Sequence, residues 1–199
     1  MINAKNHDGD GQIGNTGKIL SRNIILFTGL PGVGKSTLAE AIASKLSLPI
    51  FSVDPIESAI LQSGLTRSFE TGLAAYLVAE TLASEQLKLG LSVVIDAVNP
   101  AQEARDMWRK LADNFNARLH IIECTLEPSI HKRRIEEREP GLHGIPEVTW
   151  DRVETVRGEY LHWQEDRLVL DTVAPEKQLL AKALDYIRGR VSDAGIGEA

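Results

Sequence analysis

A run of small and basic residues near the start of the chain has the spacing of a phosphate-binding loop. It fits the pattern G-x-x-x-x-G-K-[ST] and consists of Gly29, Leu30, Pro31, Gly32, Val33, Gly34, Lys35 and Ser36, with Thr37 next. Glycines let the backbone curl so that several N–H groups point at one anion, and a following helix adds its positive N-terminal end. We expect Lys35 to reach the β- and γ-phosphates of a nucleotide and the Ser36 hydroxyl to bind Mg²⁺. The loop therefore predicts a phosphate-bearing ligand.

Two acidic residues follow predicted strands. Asp54 ends the strand predicted at 49–53, and Asp96 ends the strand predicted at 92–96. Ligands of open α/β sheets bind at the carboxyl ends of strands, so both positions suit chemistry. Asp54 is a candidate to accept or orient the proton of an acceptor hydroxyl, and Asp96 a candidate for the Mg²⁺ site or the acceptor site. Either residue could instead only cap a helix, Asp54 the one starting at Pro55 and Asp96 the next one along the chain.

A basic cluster occurs in the second half of the chain, at 131–138. Arg134 and Arg138 are four residues apart and share one helix face, with Arg133 on an adjacent face. Guanidinium groups suit phosphate oxygens and can be carried by a moving segment, so we expect a lid at about 130–146. The alternative is an exposed helix with Glu–Arg pairs. Arg105 and Arg109 could contact an anionic acceptor or could simply be solvated.

Apolar runs alternate with helical patterns from residue 23 onward. The patterns predict strands at 24–27, 49–53, 92–96, 119–122 and 167–170. They predict helices at 36–48, 70–89, 102–115 and 128–138, one ending near 164, and one at 176–190. This alternation favours a parallel sheet covered on both faces. We expect Cys124 and Trp108 to be buried packing residues, and the histidines lack metal-ligand spacing.

The composition bounds the remaining possibilities. The chain has 199 residues, 43% of them hydrophobic, and a formal net charge of −6. We expect one domain at 23–191, a flexible leader at 1–22 and a loose tail at 192–199. The acidic balance argues against a general nucleic-acid or membrane coat, and the single cysteine excludes an internal disulfide. No apolar run reaches about 18 residues, so we expect no membrane span and a cytoplasmic location.

The order of the motifs GLPGVGKST, FSVD, VVIDAVNP, HKRRIEER and LVLDT resembles that of the small P-loop kinases with a nucleoside-monophosphate-kinase-like fold. The chain is most similar to the branch that holds polynucleotide 5′-kinase domains, chloramphenicol phosphotransferase, gluconate kinase and zeta-toxin-like kinases, often grouped with AAA-family ATPases. The resemblance implies a three-layer α/β/α fold with a five-stranded parallel sheet in the order 2-3-1-4-5 and a small lid. It also implies Asp54 as the acceptor base, Asp96 near the metal, and Arg133, Arg134 and Arg138 on the phosphates. Asp171, with Thr172, is then expected near the nucleotide base.

The expected function is transfer of the γ-phosphoryl group of Mg-ATP to a hydroxyl of a small molecule. The expected partners are therefore a nucleotide and a small-molecule acceptor. ATP is preferred to GTP because the guanine signature N-K-x-D is missing from the sequence. One alternative is a nucleotide-binding or hydrolysing module without an acceptor. Another is a 5′-hydroxyl polynucleotide kinase, which the negative charge disfavours. The acceptor and the oligomeric state stay open.

Overall fold

The structure is a computed structural model that describes residues 22–137 and 148–189. These residues include a five-stranded parallel sheet in the order β2-β3-β1-β4-β5, which confirms the predicted fold. The strands are β1 (Asn23–Thr28), β2 (Ile50–Ser52), β3 (Val93–Asp96), β4 (Arg118–Thr125) and β5 (Leu168–Asp171). The predicted tail, and the predicted leader apart from residue 22, lie outside the described residues.

Helices cover both faces of the sheet. They are α1 (Lys35–Leu46), α2 (Val53–Gln62), α3 (Phe69–Lys88), α4 (Gln102–Asn114), α5 (Pro128–Glu136), α6 (Trp150–Glu159) and α7 (Glu176–Ile187). Successive side chains of a strand point to opposite faces, so Ile24 and Leu26 pack in one core and Ile25 and Phe27 in the other. The first core is shared with α3 and α4 and the second with α1 and α7. The result is the expected three layers.

Helix α3 lies close to the sheet because its buried face is built from small residues. Ala75, Ala79 and Ala83 recur every fourth residue and are buried, so one face of the helix meets the core. The helix begins at a capping box in which Ser68 and Thr71 each bond to the other's backbone N–H. It ends just before Gly90, where a positive φ is needed and where the sequence predicted the end.

The largest differences from the predicted helix ends are in α6 and α7. The helix expected to continue to about 164 ends at Glu159, because the next residues bond to another part of the chain: the N–H of Leu161 donates to the carbonyl of Pro100 at 3.1 Å. The last helix ends at Ile187 rather than at 190. Cys124 and Trp108 are buried as expected. Within residues 22–137 and 148–189, no helix is long and apolar enough to cross a membrane.

Candidate active site

The predicted phosphate loop connects β1 to α1 through three glycines with positive φ. Gly29, Gly32 and Gly34 have φ of +134°, +79° and +95°. A Cβ atom on Gly29 would lie 2.3 Å from the carbonyl oxygen of Cys124, so the loop passes β4 more closely than any side chain allows. The sequence therefore needs glycine here both for the backbone angle and for the close approach.

Lys35 is the first residue of α1, and its side chain is buried, with 4% exposed. Among the residues that the structure describes, Lys35 forms no ion pair with a carboxylate. A lysine with so little exposed surface and no carboxylate beside it among the described residues favours an anionic ligand. Lys35 is therefore placed to bind an anion at the start of α1.

Asp96 is the last residue of β3, and its side chain is 5% exposed. Its Oδ1 atom has no hydrogen-bond partner in the part of the chain that the structure describes. The charges of Lys35 and Asp96 both act on the thiol of Cys124. Burial raises the pKa of this thiol to about 12, while Lys35 lowers it and Asp96 raises it. The alternative in which Asp96 caps the next helix is wrong, because Ala101 is the N-cap of α4.

Asp54 lies in the first turn of α2 and not at the end of a strand. Strand β2 stops at Ser52, and α2 starts at Val53 rather than at the predicted Pro55. The earlier start is possible because a proline in the first turn of a helix needs no N–H partner. Ser52 is the N-cap, so the interpretation of Asp54 as a cap is wrong. The Asp54 side chain is exposed.

The charges of both acidic residues act on Tyr76 of α3. Burial raises the pKa of Tyr76, and the charges of Asp54 and Asp96 raise it further. In addition, Ser52 and Asp96 are register partners in adjacent strands, so Asp54, two residues after the end of β2, follows the same edge of the sheet as Asp96.

The loop between β3 and α4 is held by Asn99, which was not among the predicted site residues. Asn99 is buried with φ of +52°, and its Oδ1 accepts a hydrogen bond from Trp108 Nε1 at 2.9 Å. Its backbone N–H donates to the Tyr76 hydroxyl at 3.0 Å. Asn99 thereby joins this loop to α3 and α4, next to Asp96. An asparagine before a proline was the available signal, since asparagine tolerates a positive φ.

Arg105 and Arg109 are engaged within the protein rather than turned toward an acceptor. The Arg105 side chain is 1% exposed and donates to the carbonyls of Asn99, Leu161 and His162. Its guanidinium also lies 4.1 Å from the ring centroid of Trp163. Arg109 pairs with Asp106 and with Glu165. The spacing could have revealed the buried position, because Arg105 shares one face of α4 with Trp108 and Leu111.

The basic cluster lies on α5, beside the outer side of the loop. Arg134 Nη1 donates to the carbonyl of Val33 at 3.3 Å, and Nη2 donates to the carbonyl of Thr172 at 3.4 Å. Arg133 is exposed. Arg138 lies outside the described residues, as does the rest of the predicted lid beyond residue 137.

The end of β5 reaches the loop from the other direction. The Thr172 hydroxyl donates to the carbonyl of Val33 at 2.6 Å. Asp171, the last residue of β5, is exposed, and its Oδ1 accepts from the N–H of Val173 at 3.0 Å. Asp171 thus shapes the turn that brings Thr172 to the loop.

Sequence reasoning missed His131. This histidine is fully buried on α5, and its Nε2 lies 2.8 Å from the carbonyl oxygen of Pro31. Its position one turn before Ile135 was the available signal, since the two residues share one buried helix face.

A strand, a glycine loop and a helix, with an acidic strand end beside them, define a P-loop nucleotide-binding protein of the α/β/α class. The chain belongs to the AAA domain family, whose profile matches residues 24–159. The resemblance to the small P-loop kinases is confirmed by the relatives described next.

Among the relatives is an adenylyl-sulfate kinase of Microcystis aeruginosa, 26% identical over 121 residues, which cover 55% of this chain and 65% of the relative. A bifunctional polynucleotide phosphatase/kinase of Schizosaccharomyces pombe is 33% identical over 101 residues, which cover 51% of this chain and 21% of the relative. The chain thus spans less than two thirds of either relative. The crystal structure of a sugar kinase from Janibacter sp. matches this chain with a TM-score of 0.63 at 20% sequence identity. The match covers 84% of this chain and 95% of the sugar kinase chain, which shows that the two share a fold.

Proposed function

We propose that the protein is an ATP-dependent phosphotransferase that moves the γ-phosphoryl group of Mg-ATP to a hydroxyl of a small molecule. The observation that carries the proposal is Lys35, a residue only 4% exposed that has no carboxylate partner among the described residues and begins the helix that follows the glycine loop. A triphosphate supplies the charge that this site lacks. The relatives support phosphoryl transfer, because their names describe kinases of an adenylyl sulfate, a polynucleotide and a sugar.

The nucleotide half of the proposed site is the loop at 29–37. Its backbone N–H groups and the N-terminal end of α1 bind the phosphates, and Lys35 neutralises the β- and γ-phosphates. Arg134 is already beside the loop, and Arg133 and Arg138 belong to the same basic cluster. Arg134 donates to the carbonyl of Val33 on the outer side of the loop, so we assign it to holding the loop. We assign Arg133 and Arg138 to the phosphates and Asp171 to the rim around the base.

Ser36 and Asp96 fit a magnesium site. Asp96 offers a buried carboxylate oxygen without a hydrogen-bond partner in the described chain, and Ser36 offers a hydroxyl on the first turn of α1. No cluster of three or more His, Cys, Asp or Glu side chains that could hold a metal occurs in residues 22–137 and 148–189. Mg²⁺ usually takes one or two protein ligands together with substrate phosphates and water, so a sparse ligand set suits it. When bound, the ion neutralises charge that develops on the phosphoryl oxygens.

Asp54 serves the acceptor in this proposal. Its exposed carboxylate on the first turn of α2 accepts the proton of the acceptor hydroxyl. The hydroxyl oxygen forms a bond to the γ-phosphorus while the bond from that phosphorus to the β,γ-bridging oxygen breaks, and ADP leaves. Water must be excluded from the site, because it would otherwise compete as the acceptor.

A 5′-hydroxyl polynucleotide kinase is the second candidate. The relative from S. pombe, 33% identical over 101 residues, favours it. The formal net charge of −6 favours a small molecule instead, because a polynucleotide needs a basic surface. Transfer to one class of acceptor decides between them.

The test is a screen with γ-labelled ATP and Mg²⁺ against sugars, nucleosides, aminoglycoside-like alcohols and 5′-hydroxyl oligonucleotides. We expect transfer to a small-molecule class, loss of all transfer in Lys35→Met, and a loss of about 100-fold or more in kcat in Asp54→Asn with nucleotide affinity kept within about twofold. Asp113→Asn, an exposed change on α4, is the matched control.

Other outcomes contradict the proposal. Transfer only to oligonucleotides establishes the second candidate. Hydrolysis of ATP without transfer to any acceptor, unaffected by Asp54→Asn, identifies a nucleotide-hydrolysing module.

A further inference from the structure

His131 contacts the phosphate loop from outside. The carbonyl oxygen of Pro31 can only accept a hydrogen bond, so the nitrogen 2.8 Å away, Nε2, must carry the proton. The ring is fully buried and meets the ring of Trp150 edge-to-face, with the centroids 5.5 Å apart. Burial lowers the pKa of His131, while the hydrogen bond to Pro31 acts in the opposite direction. The contacts with Pro31 and Trp150 give the imidazole donor a defined orientation.

The geometry of a peptide unit transmits this contact to the other side of the loop. The carbonyl of Pro31 and the N–H of Gly32 belong to one planar trans peptide, so they point in opposite directions. A carbonyl held toward α5 turns the N–H of Gly32 away from α5. Gly32, with φ of +79°, has no side chain to prevent the peptide from rotating, so the hydrogen bond from His131 supplies the restraint.

The next turn of α5 packs against the same part of the loop. A Cβ atom on Gly32 would lie 2.2 Å from Cδ1 of Ile135, so the Ile135 side chain covers this glycine. His131 and Ile135 are four residues apart and therefore contact the loop from one face of one helix.

A second peptide of the loop is held in the same way. The carbonyl of Val33 accepts from the Thr172 hydroxyl at 2.6 Å and from Arg134 at 3.3 Å. Its partner in the peptide unit is the N–H of Gly34, which is turned away from those donors. The N–H groups of Gly32 and Gly34 are thus both oriented by hydrogen-bond donors on the outer side of the loop.

We propose that His131 is a positioning residue for the phosphate loop: its Nε2–H holds the carbonyl of Pro31 so that the N–H of Gly32 is presented to the phosphates of the nucleotide. The identity of the ligand rests on the proposed function, whereas the effect on the loop does not. His131 touches neither the acceptor nor the reacting atoms in this proposal, so it governs nucleotide affinity more than the rate of transfer.

The test compares His131→Phe with His131→Gln. Phenylalanine keeps an aromatic ring against Trp150 but has no donor, whereas glutamine can place an amide N–H near the position of Nε2. We expect His131→Phe to weaken binding of Mg-ATP by about tenfold or more in calorimetry, the equivalent of one lost hydrogen bond. His131→Gln should stay within about threefold of the wild type, and kcat at saturating ATP should change less than the affinity does in either variant. Val153→Ala, which removes a buried side chain from α6, should leave the affinity unchanged.

A measurement without nucleotide separates this inference from the proposed function. Backbone ¹⁵N relaxation of the Gly32 amide should show exchange broadening in His131→Phe and not in His131→Gln. Equal affinities in all variants, equal losses in both His131 variants, or an unchanged Gly32 amide in His131→Phe would overturn the inference. If the wild type binds no nucleotide, the proposed function fails, and the relaxation result alone decides the role of His131.

Discussion

Asp96 is the register partner of Phe27 in the neighbouring parallel strand, and the N–H of Ala97 donates to the carbonyl of Phe27 at 3.2 Å. This pairing places a buried carboxylate beside the residues that lead from β1 into the glycine loop. Oδ1 of Asp96 has no hydrogen-bond partner in the described chain, so this atom is available to a ligand. The strand register therefore provides the acidic half of the proposed magnesium site.

Asp96→Asn should separate activity from stability. The change removes a buried charge without a hydrogen-bond partner on Oδ1, so we expect the free energy of unfolding to stay within about 1 kcal/mol of wild type or to rise. Phosphoryl transfer should fall by about 100-fold or more, because the carboxylate no longer helps to hold the metal. Urea unfolding and initial rates at varied Mg²⁺ measure the two effects. A variant that loses stability but keeps its rate would show that Asp96 is structural.

Gly29→Ala should damage the fold and the loop together. The new Cβ would meet the carbonyl oxygen of Cys124 at 2.3 Å, and φ of +134° strains any other residue. We expect a loss of more than about 2 kcal/mol in the free energy of unfolding and loss of nucleotide binding. Gly90→Ala is the control, because that glycine also has a positive φ but no atom within 4 Å of its Cβ position. It should cost about 1 kcal/mol, and equal costs for the two variants would refute the close approach of the loop to β4.

Arg105→Met should be strongly destabilising although an arginine is usually a surface residue. The substitution leaves the carbonyls of Asn99, Leu161 and His162 without their donor and removes the contact with Trp163. We expect a loss of about 3 kcal/mol or more in chemical denaturation. Arg109→Met on the same helix removes exposed ion pairs and should cost less than about 1 kcal/mol. Similar losses for both variants would mean that Arg105 is not a buried anchor.

Stability should decline as the pH falls from about 6.5 to about 4, in part because of His120. Burial lowers the pKa of His120 to about 4, and the charge of Arg118 adds to this effect. The unfolded chain, with a histidine pKa near 6.5, therefore binds more protons in this window than the folded protein does, so the free energy of unfolding decreases with falling pH. The contribution is of the order of 3 kcal/mol.

His120→Gln is the variant that tests this. Glutamine can keep the hydrogen bond to Asn23 Oδ1 but does not titrate, so the slope of stability against pH between 4 and 6.5 should become smaller. Thermal or urea unfolding at several pH values measures the slope. An unchanged slope would assign the acid sensitivity to other groups.

Local signals in the sequence predicted a large part of this protein. The alternation of apolar runs with helical patterns predicted a parallel sheet covered on both faces, whereas the strand order came from the family resemblance of the motifs. These signals succeed because the apolar faces of strands and helices and the conformation of glycine are properties of short segments. The place of Asp96 at a strand end was predicted correctly for the same reason, and α1 begins at Lys35, one residue before its predicted start.

Segments whose ends depend on distant contacts were predicted less well. The sequence placed Asp54 at the end of a strand, but the proline after it fits the first turn of a helix, so α2 begins earlier. Arg105 looked like a surface residue because its three acceptor carbonyls include two that lie more than 50 residues away along the chain. The prediction of a helix up to about 164 was wrong for the same reason, because the carbonyls of Leu161 and His162 accept hydrogen bonds from Arg105.

The sequence by itself determined that a phosphate-bearing ligand binds after the first strand, because the glycines, the lysine and the following helix act within nine consecutive residues. Only the tertiary structure decided which side chains surround that loop. His131 and Pro31 are 100 residues apart, and Thr172 and Val33 are 139 apart, so their pairing depends on the packing of α5 and β5 around β1. A hydrogen bond needs its donor and acceptor within about 3 Å, and over such separations in sequence only the complete fold can bring them that close.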